Sequence, residues 1–416
     1  MTRISAFTDL FLHLLKWLLI AAIVAALAGT ASAGFLFALA WATNTRMAHP
    51  WLIWLLPLAG FAVGWLYLRY GSTVEGGANL LIDEIHDPKK IIPLRMAPLV
   101  LGATVVSHLF GASVGREGTA VQMGGALADQ LTRLFRLDTE DRRIVLMAGI
   151  SAGFASVFGT PLAGAIFGLE VLAIGRLRYE AMLPCLAAAV IADQMGLLWG
   201  VQHIHYAVPF IPAISSWTLC AMVIAGLLFG LTGKLFAAAT HGLSHAMKRW
   251  ISYAPLRPLV GGVVVACAVW LLGTDQYIGL GIPTIVDALK EPLPAWDFLG
   301  KMAFTIISLG TGFKGGEVTP LFFIGATLGN ALGPLLHQPV TLLAAIGFVA
   351  VFAGAANTPI ASTLMAMELF GAEIGVYAAI ACVVAYLFSG HAGIYRAQRS
   401  GHAKRQQHRQ QDGKPD

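Results

Sequence analysis

The sequence predicts an all-α polytopic membrane protein built from two related halves, and three observations carry that prediction. Hydrophobic residues make up 57% of the chain and charged residues only 12%, whereas soluble domains carry about 25% charged residues. Apolar runs follow one another along most of the chain, separated by short polar breaks, as repeated membrane spans require. Glycine is frequent, with 46 of 416 residues, which fits closely packed and interrupted membrane helices.

The first apolar run extends from about residue 11 to residue 43. Its beginning also fits a secretory signal peptide, because basic residues precede it and the small residues 31–33 resemble a cleavage site. Apolarity resumes at once in residues 35–41, so we favour one long, tilted membrane helix. A second span is predicted from Trp51 to about Tyr70, followed by a glycine-rich break at 71–81.

The segment from Ile82 to Lys90 is charged and is predicted to lie at the surface, with Pro88 ending any helix. Charged connectors are predicted at 136–143 and 241–257. The remaining apolar runs are uneven, and several are well short of the ~20 residues that span a bilayer, which indicates half-helices. These runs cover about 93–110, 119–135, 144–158, 161–175, 181–200, 215–240, 258–273, 298–310, 319–336, 340–356, 359–371 and 374–389.

The C-terminal residues 396–416 are polar, basic and poor in aromatic residues, which predicts a disordered tail. By the positive-inside rule this tail is cytoplasmic, and nucleic-acid binding is the weaker interpretation. The four cysteines stand singly in apolar runs, without the spacing of a metal or redox site. We therefore expect neither a metal nor another cofactor.

The most informative stretch is the glycine-rich segment Gly111–Ala120, which holds Arg116 and Glu117 between apolar runs. A charged pair at that depth costs several kcal/mol in lipid, about 2.5–3.5 kcal/mol per residue on insertion scales. Irregular backbone is tolerated there only where it is buried in protein or lines a cavity. The segment therefore predicts an ion site at a broken helix. A polar surface loop with an incidental charge pair is the alternative.

Two matches at nearly one offset indicate an internal repeat. Thr160–Glu170 resembles Thr358–Glu368, and Gly115–Thr119 resembles Gly315–Thr319. Broken helices at matching positions of two repeats point to a binding site at the repeat interface, although a duplicated scaffold without transport has the same signature. The sequence leaves open whether the repeat is parallel or inverted. The predicted units are a first transmembrane repeat (1–201), a second transmembrane repeat (202–395) and the basic tail (396–416).

Four motifs resemble the CLC family of anion channels and proton-coupled anion antiporters: Gly115-Arg-Glu-Gly118, Gly159-Thr-Pro-Leu-Ala-Gly164, Gly279-Leu-Gly-Ile-Pro-Thr284 and Gly315-Gly-Glu-Val-Thr-Pro320. The resemblance covers about residues 15–396. It implies the CLC fold, in which two related halves of inverted topology bring broken helices to a central anion site. It also implies a homodimer, with the faces around 161–200 and 359–389 as the expected interface, and it makes Glu117 the gating glutamate.

The chain departs from the chloride-type pattern in its first two motifs. Thr119 replaces the proline that follows Gly-Arg-Glu-Gly in chloride-type members. Their first anion loop reads Gly-Ser-Gly-Ile-Pro and its serine contacts chloride. The corresponding stretch here is Gly77-Ala78-Asn79-Leu80-Leu81, which has no serine.

Two further departures lie in the pathway for protons and in the third loop. Proton-coupled chloride exchangers carry an inner glutamate just after the position of Glu170, and this chain has Val171. Glu317, Val318 and Thr319 stand where those exchangers have a large apolar residue. All of these changes resemble the fluoride-exporting branch, called CLC-F. That branch often has methionine or asparagine at the position of Ala78, so the resemblance assigns the first loop's role to Asn79 and the backbone.

The chemistry of the ion explains why such loops suit it. An anion in a bilayer must replace its hydration shell, and the small fluoride ion needs many close donors. Backbone N–H groups at helix N-termini provide them, together with about half a positive charge, and glycine lets the backbone come close. Ionised, Glu117 takes the place of an anion, and protonated, it leaves and admits one. A single acid can thus couple anion and proton by competition.

The sequence allows two alternative roles for each of the other residues near Glu117. Arg116 has a structural or long-range field role. Glu317 handles a second proton or pairs with Lys314. Thr319 donates its hydroxyl to the ion or caps a helix, and Tyr395 is the family's pore tyrosine or an interfacial anchor. The anion-binding positions that the resemblance implies around Glu117 are Gly77, Ala78, Asn79, Gly115, Arg116, Gly118, Thr119, Glu317, Val318, Thr319 and Tyr395.

The resemblance therefore implies an antiporter of the bacterial inner membrane that exports fluoride in exchange for protons and gives fluoride resistance. Its partners are fluoride, protons, the lipid bilayer and a second copy of the chain. The alternative is a chloride/proton antiporter or a chloride channel of the same family. An enzyme is disfavoured, because the sequence has neither an HExxH metal motif nor a GxSxG nucleophile motif.

Overall fold

The computed structural model describes residues 3–204 and 206–400, with side chains from Thr8 onward. The described chain is mostly helical, which confirms the all-α prediction. Its α-helices are α1 (Arg3–Ala48), α2 (Leu56–Leu66), α3 (Ala78–His86), α4 (Met96–Leu109), α5 (Glu117–Leu134), α6 (Thr139–Phe158), α7 (Pro161–Glu170), α8 (Met182–Leu198), α9 (Ser216–Trp250), α10 (Leu256–Leu272), α11 (Ile282–Ala288), α12 (Asp297–Thr311), α13 (Val318–Leu335), α14 (Val340–Ala356), α15 (Pro359–Phe370) and α16 (Gly375–Phe388).

Short irregular elements complete the described chain. Single 3₁₀ turns form at Pro50–Leu55, Tyr179–Ala181 and Ala372–Ile374, and a π-helical turn at Tyr67–Gly71 continues α2. Two strands of two residues each, β1 (Ala173–Ile174) and β2 (Arg399–Ser400), pair in parallel.

Several described helices are long and apolar enough to cross a membrane. These candidate spans are Thr8–Ala48, Pro50–Gly71, Tyr179–Leu198, Ser216–Trp250 and Val318–Leu335. The first includes residues 31–33 without interruption and packs along α5, α6 and α8. The beginning of the chain is thus an integrated membrane helix, in line with the interpretation we favoured over a signal peptide. Helices of 10–17 residues make up much of the rest, in agreement with the predicted half-helices.

The packing of the first eight helices recurs in the second eight. Helix α5 packs on α6 as α13 packs on α14, and α1 packs on α8 as α9 packs on α16. Glycine allows the closest of these contacts, since a Cβ on Gly329 of α13 would overlap the carbonyl oxygen of Leu343 on α14. The exact limits of the two repeats stay a prediction.

The two halves meet through α7 and α15, whose ends are capped by each other's glutamates. The Glu170 carboxylate, at the end of α7, accepts hydrogen bonds from the backbone N–H groups of Ile360 and Ala361 at 3.0 and 2.8 Å. Glu368, near the end of α15, accepts from Leu162 and Ala163 at 2.9 and 2.8 Å. Since each last turn lies at the other helix's first turn, α7 and α15 run antiparallel. The halves are therefore related by inversion, and each carboxylate complements a helix dipole.

Three surface predictions were wrong. Residues 78–86 form helix α3, and its buried Ile82 and Ile85 lie one turn apart on the face that packs on the core; the intervening charges concealed this short amphipathic pattern. The connector predicted from 241 is helical as far as Trp250. Residues 396–400 of the predicted disordered tail are ordered by β2 and by the Gln398 side chain, which donates to Val171 O and Ala356 O. Residues 401–416 lie outside the described residues.

The predicted connector 136–143 also holds a buried ion cluster. The Arg142 guanidinium, with a side chain 7% exposed, contacts Asp129 at 2.7 and 2.8 Å and Glu84 at 3.0 Å. Asp129 accepts a further hydrogen bond from the N–H of Ile92 at 2.7 Å. This cluster ties the segment after α3 to α5 and α6.

We expect Arg142→Met to destabilise the protein strongly. The substitution keeps the volume but leaves two buried carboxylates without their cation, which costs about 3–5 kcal/mol in comparable sites. The midpoint of thermal unfolding in detergent measures the loss. Arg133→Met is the matched control, because Arg133 is exposed and its change should shift the midpoint little. Equal midpoints for the two variants would contradict the assigned role of the cluster.

Candidate functional site

The glycine-rich loops of the two halves meet backbone to backbone. Gly115 and Gly316 exchange two hydrogen bonds, from Gly115 N to Gly316 O at 2.6 Å and from Gly316 N to Gly115 O at 2.8 Å. This approach requires glycine, because a Cβ on Gly115 would lie 2.9 Å from Gly316 O and one on Gly316 would lie 2.7 Å from Gly118 N. The contact places the first turns of α5 and α13 beside each other.

The Glu117 side chain reaches from the start of α5 to the start of α13. It is fully buried, and its carboxylate accepts hydrogen bonds from Thr319 N at 3.0 Å and from Thr319 Oγ1 at 2.5 Å. The N–H of Arg116 lies 3.2 Å from Glu117 Oε2. A helix N-terminus with free donors is a ready anion site, so the Glu117 carboxylate occupies such a site.

Thr319 is thus a donor to the carboxylate and not a helix cap. Helix α13 begins at Val318 with Glu317 at the N-cap position, which places Thr319 inside the first turn. The alternative in which Thr319 caps the helix was wrong. Its hydroxyl and amide instead form a pair of donors that converge on one negative group.

The second acid of the site, Glu317, has no pairing with Lys314. The Lys314 ammonium lies 4.2 Å from the centroid of the Tyr67 ring, in a cation–π contact. The Glu317 side chain turns towards the start of α5, where a Cβ on Gly118 would lie 3.9 Å from its Oε2. In the described part of the chain, no other side chain donates a hydrogen bond to it. The ion-pair alternative was therefore wrong.

Arg116 and Thr119 make side-chain contacts that the sequence did not predict. The Arg116 Nε atom lies 3.4 Å from Glu117 Oε1, so this arginine contacts the Glu117 carboxylate directly. Thr119 bonds to α4 through its hydroxyl, 2.7 Å from Thr104 Oγ1, and its amide donates to Arg116 O. The expected contact of Thr119 with the anion stays a prediction.

The predicted first anion loop lies at the start of α3, against α5. Gly77 has a φ of 59°, which favours glycine, and a Cβ on it would lie 3.2 Å from Gln122 Oε1. Asn79 Oδ1 accepts a hydrogen bond from Ala397 N at 3.0 Å, and Ala78 packs on the core. The sequence did not predict that Gln122 lies against Gly77, because a single glutamine in a helix carries no signal of its contacts.

Tyr395 belongs to the interior and not to the membrane interface. Its side chain is 6% exposed and its ring packs edge-on against Phe167, with centroids 6.3 Å apart. The N–H of Ile394 donates to Ala355 O at 2.9 Å and holds this segment at the end of α14. The alternative of an interfacial anchor was wrong.

A cavity of about 350 Å³ lies on the opposite side of Glu117 from the C-terminal segment. It is lined by Arg116, Glu117 and Thr319, by the last part of α1 and by the residues that follow α8. The start of α1 lies at the opposite end of α6 from the cavity, because Lys16 pairs with Asp141 in the first turn of α6. Aromatic side chains form much of its wall, namely Phe37, Phe158, Tyr206, Phe322 and Phe348. The Glu117 carboxylate therefore borders this cavity on one side.

Inverted halves, paired helix N-termini and a buried carboxylate at the meeting point define a membrane anion transport protein. The chain belongs to the voltage gated chloride channel (CLC) family, whose model matches residues 59–390. This result confirms the family resemblance and the CLC fold.

Known relatives and structures agree with that assignment. A chloride/fluoride channel protein of Pseudomonas syringae pv. tomato is 66% identical over 402 residues, which are 95% of this chain and 89% of the relative. The H(+)/Cl(-) exchange transporter ClcA of Cronobacter sakazakii is 27% identical over 85% of this chain and 81% of its own. The crystal structure of a CLC-type fluoride/proton antiporter superposes with a TM-score of 0.91 at 34% identity, over 94% of this chain and 99% of that one.

Proposed function

We propose that this protein exports fluoride in exchange for protons. The observation that carries the proposal is the Glu117 carboxylate, bound by the amide and hydroxyl of Thr319 at the start of α13. Those donors can serve either the carboxylate or a small anion. Protonation weakens the carboxylate as an acceptor and lets the anion replace it, which couples the two movements.

Three features favour fluoride over chloride as the anion. The Thr319 hydroxyl adds a strong donor to the backbone amides, as a small and tightly hydrated ion requires. The similar crystal structure is that of a fluoride/proton antiporter, and the relative that is 66% identical is named for both anions. Val171 is buried where chloride/proton exchangers carry their inner glutamate, so the proton must use another group.

Glu317 is the acid that we assign to the second proton step. Its carboxylate lies beside the first turn of α5 and is free of Lys314. From these acids, the proposed anion pathway passes Tyr395 and ends near Asn79. The anion contacts that we propose around these acids are Gly77, Asn79, Gly115, Gly118, Val318, Thr319 and Tyr395, with Arg116 as the nearest cation.

The protein acts, on this proposal, as a secondary active transporter in the bacterial inner membrane. Lys16, Arg143 and Arg399 lie on one face, and the positive-inside rule assigns such a face to the cytoplasm. We also propose a homodimer. The exposed apolar side chains on its expected faces are Leu162, Leu183, Leu186, Val190, Ile360, Val376 and Val383.

Flux from liposomes that hold the purified protein tests the function. Fluoride- and chloride-selective electrodes follow the anions, and a pH electrode follows protons in the same vessel. Fluoride release with proton uptake and little chloride release is the expected result. Chloride release as fast as fluoride release would favour the alternative of a chloride/proton antiporter or a chloride channel.

We expect Glu317→Gln to reduce coupled proton uptake by about tenfold or more, because the amide cannot take up and release a proton. The initial rates of proton uptake and fluoride release in liposomes give the coupling ratio. Glu291→Gln is the control, since Glu291 is exposed and its variant should keep the wild-type ratio. An unchanged ratio in Glu317→Gln would remove Glu317 from the proton route.

A further inference from the structure

A second cavity, of about 510 Å³, lies on the membrane face that carries the C-terminal segment. It is remote from the gating carboxylate and is formed where β1 and β2 pair at the end of α3. We call it the basic pocket. The residues that line it are His86, Ala173, Arg176, Leu177, Arg178, Arg399 and Ser400.

The basic pocket carries an excess of positive charge. Four of its seven described lining residues are basic and none is acidic. Arg178 pairs with Glu180 at 3.0 Å, but both side chains are largely exposed, at 39% and 54%, and such pairs contribute little. Within the described ranges, Arg176 and Arg399 form no ion pair. Two guanidinium groups are thus available to a ligand.

Backbone pairing positions Arg399 at the pocket. Parallel pairing sets Arg399 opposite Ala173, and the Arg399 N–H donates to Leu172 O at 3.3 Å. The same carbonyl lies 2.7 Å from His86 Nε2. Burial, together with the charges of Arg399 and Arg178, lowers the pKa of His86, so the positive charge of the pocket at neutral pH comes from its arginines. Next to the pocket, the buried Arg143 Nε atom has no hydrogen-bond partner.

We propose that the basic pocket binds a phosphate group through Arg176, Arg178 and Arg399. Guanidinium groups suit phosphate because their planar N–H pairs match two of its oxygens. The cavity has room for such a group, and no carboxylate among its described lining residues repels it. Either the headgroup of an anionic phospholipid or a soluble phosphate supplies this chemistry.

A bound phosphate group would brace the segment that carries Tyr395. Arg399 follows Gln398, whose side chain donates to Val171 O at 2.9 Å and Ala356 O at 2.8 Å. Two residues before Arg399, Ala397 N donates to Asn79 Oδ1 at 3.0 Å. The basic pocket is therefore connected, through residues 395–399, to the inner end of the proposed anion pathway.

The test uses the full-length protein in neutral detergent and measures the midpoint of thermal unfolding. One series adds inorganic phosphate at constant ionic strength, and another adds phosphatidylglycerol, with phosphatidylcholine as its neutral counterpart. A ligand that binds the folded state raises the midpoint with concentration. We expect the double variant Arg176→Gln/Arg399→Gln to need about tenfold more ligand than the wild type for the same rise in midpoint. The reason is the loss of charge-assisted hydrogen bonds to the ligand.

Two controls separate the pocket from general effects of charge. Arg249→Gln removes an exposed arginine at the end of α9 and should respond to ligand as the wild type does. Arg176→Lys/Arg399→Lys keeps the charge and should restore part of the response. Since both arginines are exposed, the double glutamine variant should fold with an unchanged midpoint when no ligand is present.

The outcomes decide both the site and its source. A response to phosphate that the double glutamine variant loses supports a soluble ligand. A response to phosphatidylglycerol alone, lost in the same variant, supports a lipid headgroup. Equal responses in the wild type and the double variant, or no response of the wild type to either probe, would overturn the proposal. Fluoride flux does not enter this measurement, so the site can fail while the proposed function stands.

Discussion

Replacing Glu117 by glutamine is expected to abolish the coupling of protons to anion movement. The amide has nearly the shape of the carboxylate and can still accept hydrogen bonds from Thr319, but it cannot exchange a proton with solvent. Proton uptake that accompanies fluoride release should therefore fall below detection, while some anion flux continues. The initial rates of both fluxes in liposomes at several external pH values measure this loss, and the pH dependence of anion flux should flatten.

The matched control for this variant is Glu373→Gln, because Glu373 is exposed and lies outside the site. It should keep both fluxes and their pH dependence. Coupled proton uptake that survived in Glu117→Gln would show that another group carries the proton to the anion, and the competition between carboxylate and anion would no longer explain coupling. A midpoint of thermal unfolding close to that of the wild type establishes that the variant is folded.

The sequence revealed the long elements and the repeat because their signals are strong. Uninterrupted apolar runs define α13 and α14, and the repeated Thr-Pro segments define the starts of α7 and α15. The short α3 was missed, since nine residues with charges between its apolar positions give little periodicity. The far end of α9 was missed as well, because charged residues on a helix that leaves the membrane resemble a loop.

The site could be predicted in its backbone positions but not in its side-chain partners. Glycine spacing and the acid at 117 indicate where two helix N-termini meet, and the structure brings those segments together. Which donor serves which acid depends on the distance between halves some 200 positions apart in the chain, and no local pattern encodes it. The Thr319 bond to Glu117 and the Lys314 contact with Tyr67 are such cases.

The hydrogen-bond partners of Glu170 and Glu368 likewise lie in the opposite half of the chain. Glu170 and Glu368 occupy equivalent repeat positions, and each satisfies amides at the start of the other's helix. Glu117 and Glu317 also occupy equivalent repeat positions, at the starts of α5 and α13, but their hydrogen bonds differ. Of these two acids, Glu117 accepts hydrogen bonds from the first turn of the opposite helix, and Glu317 does not. The repeat thus supplies two similar acids, and a departure from symmetry leaves one bound and the other available.

Thr319→Val is expected to reduce the preference for fluoride over chloride by about tenfold or more. Valine keeps the branched shape and the backbone amide, so the first turn of α13 should be unchanged, but the hydroxyl donor is lost. A hydrogen bond to a charged acceptor contributes about 1.5–3 kcal/mol, and about 1.4 kcal/mol corresponds to tenfold. Fluoride forms the stronger hydrogen bonds of the two anions and should lose more. The ratio of initial fluoride and chloride release rates from liposomes measures the effect.

Thr319→Ser provides the matched control for this prediction. Serine retains the hydroxyl that donates to Glu117 at 2.5 Å, and it removes only a methyl group, so the flux ratio should stay within a few-fold of the wild-type value. A wild-type ratio in Thr319→Val would mean that the hydroxyl serves the carboxylate alone and that the backbone amides set selectivity. An equal loss in both variants would point instead to packing around the start of α13. Only a loss confined to valine identifies the hydroxyl as the donor that the carboxylate and the anion share.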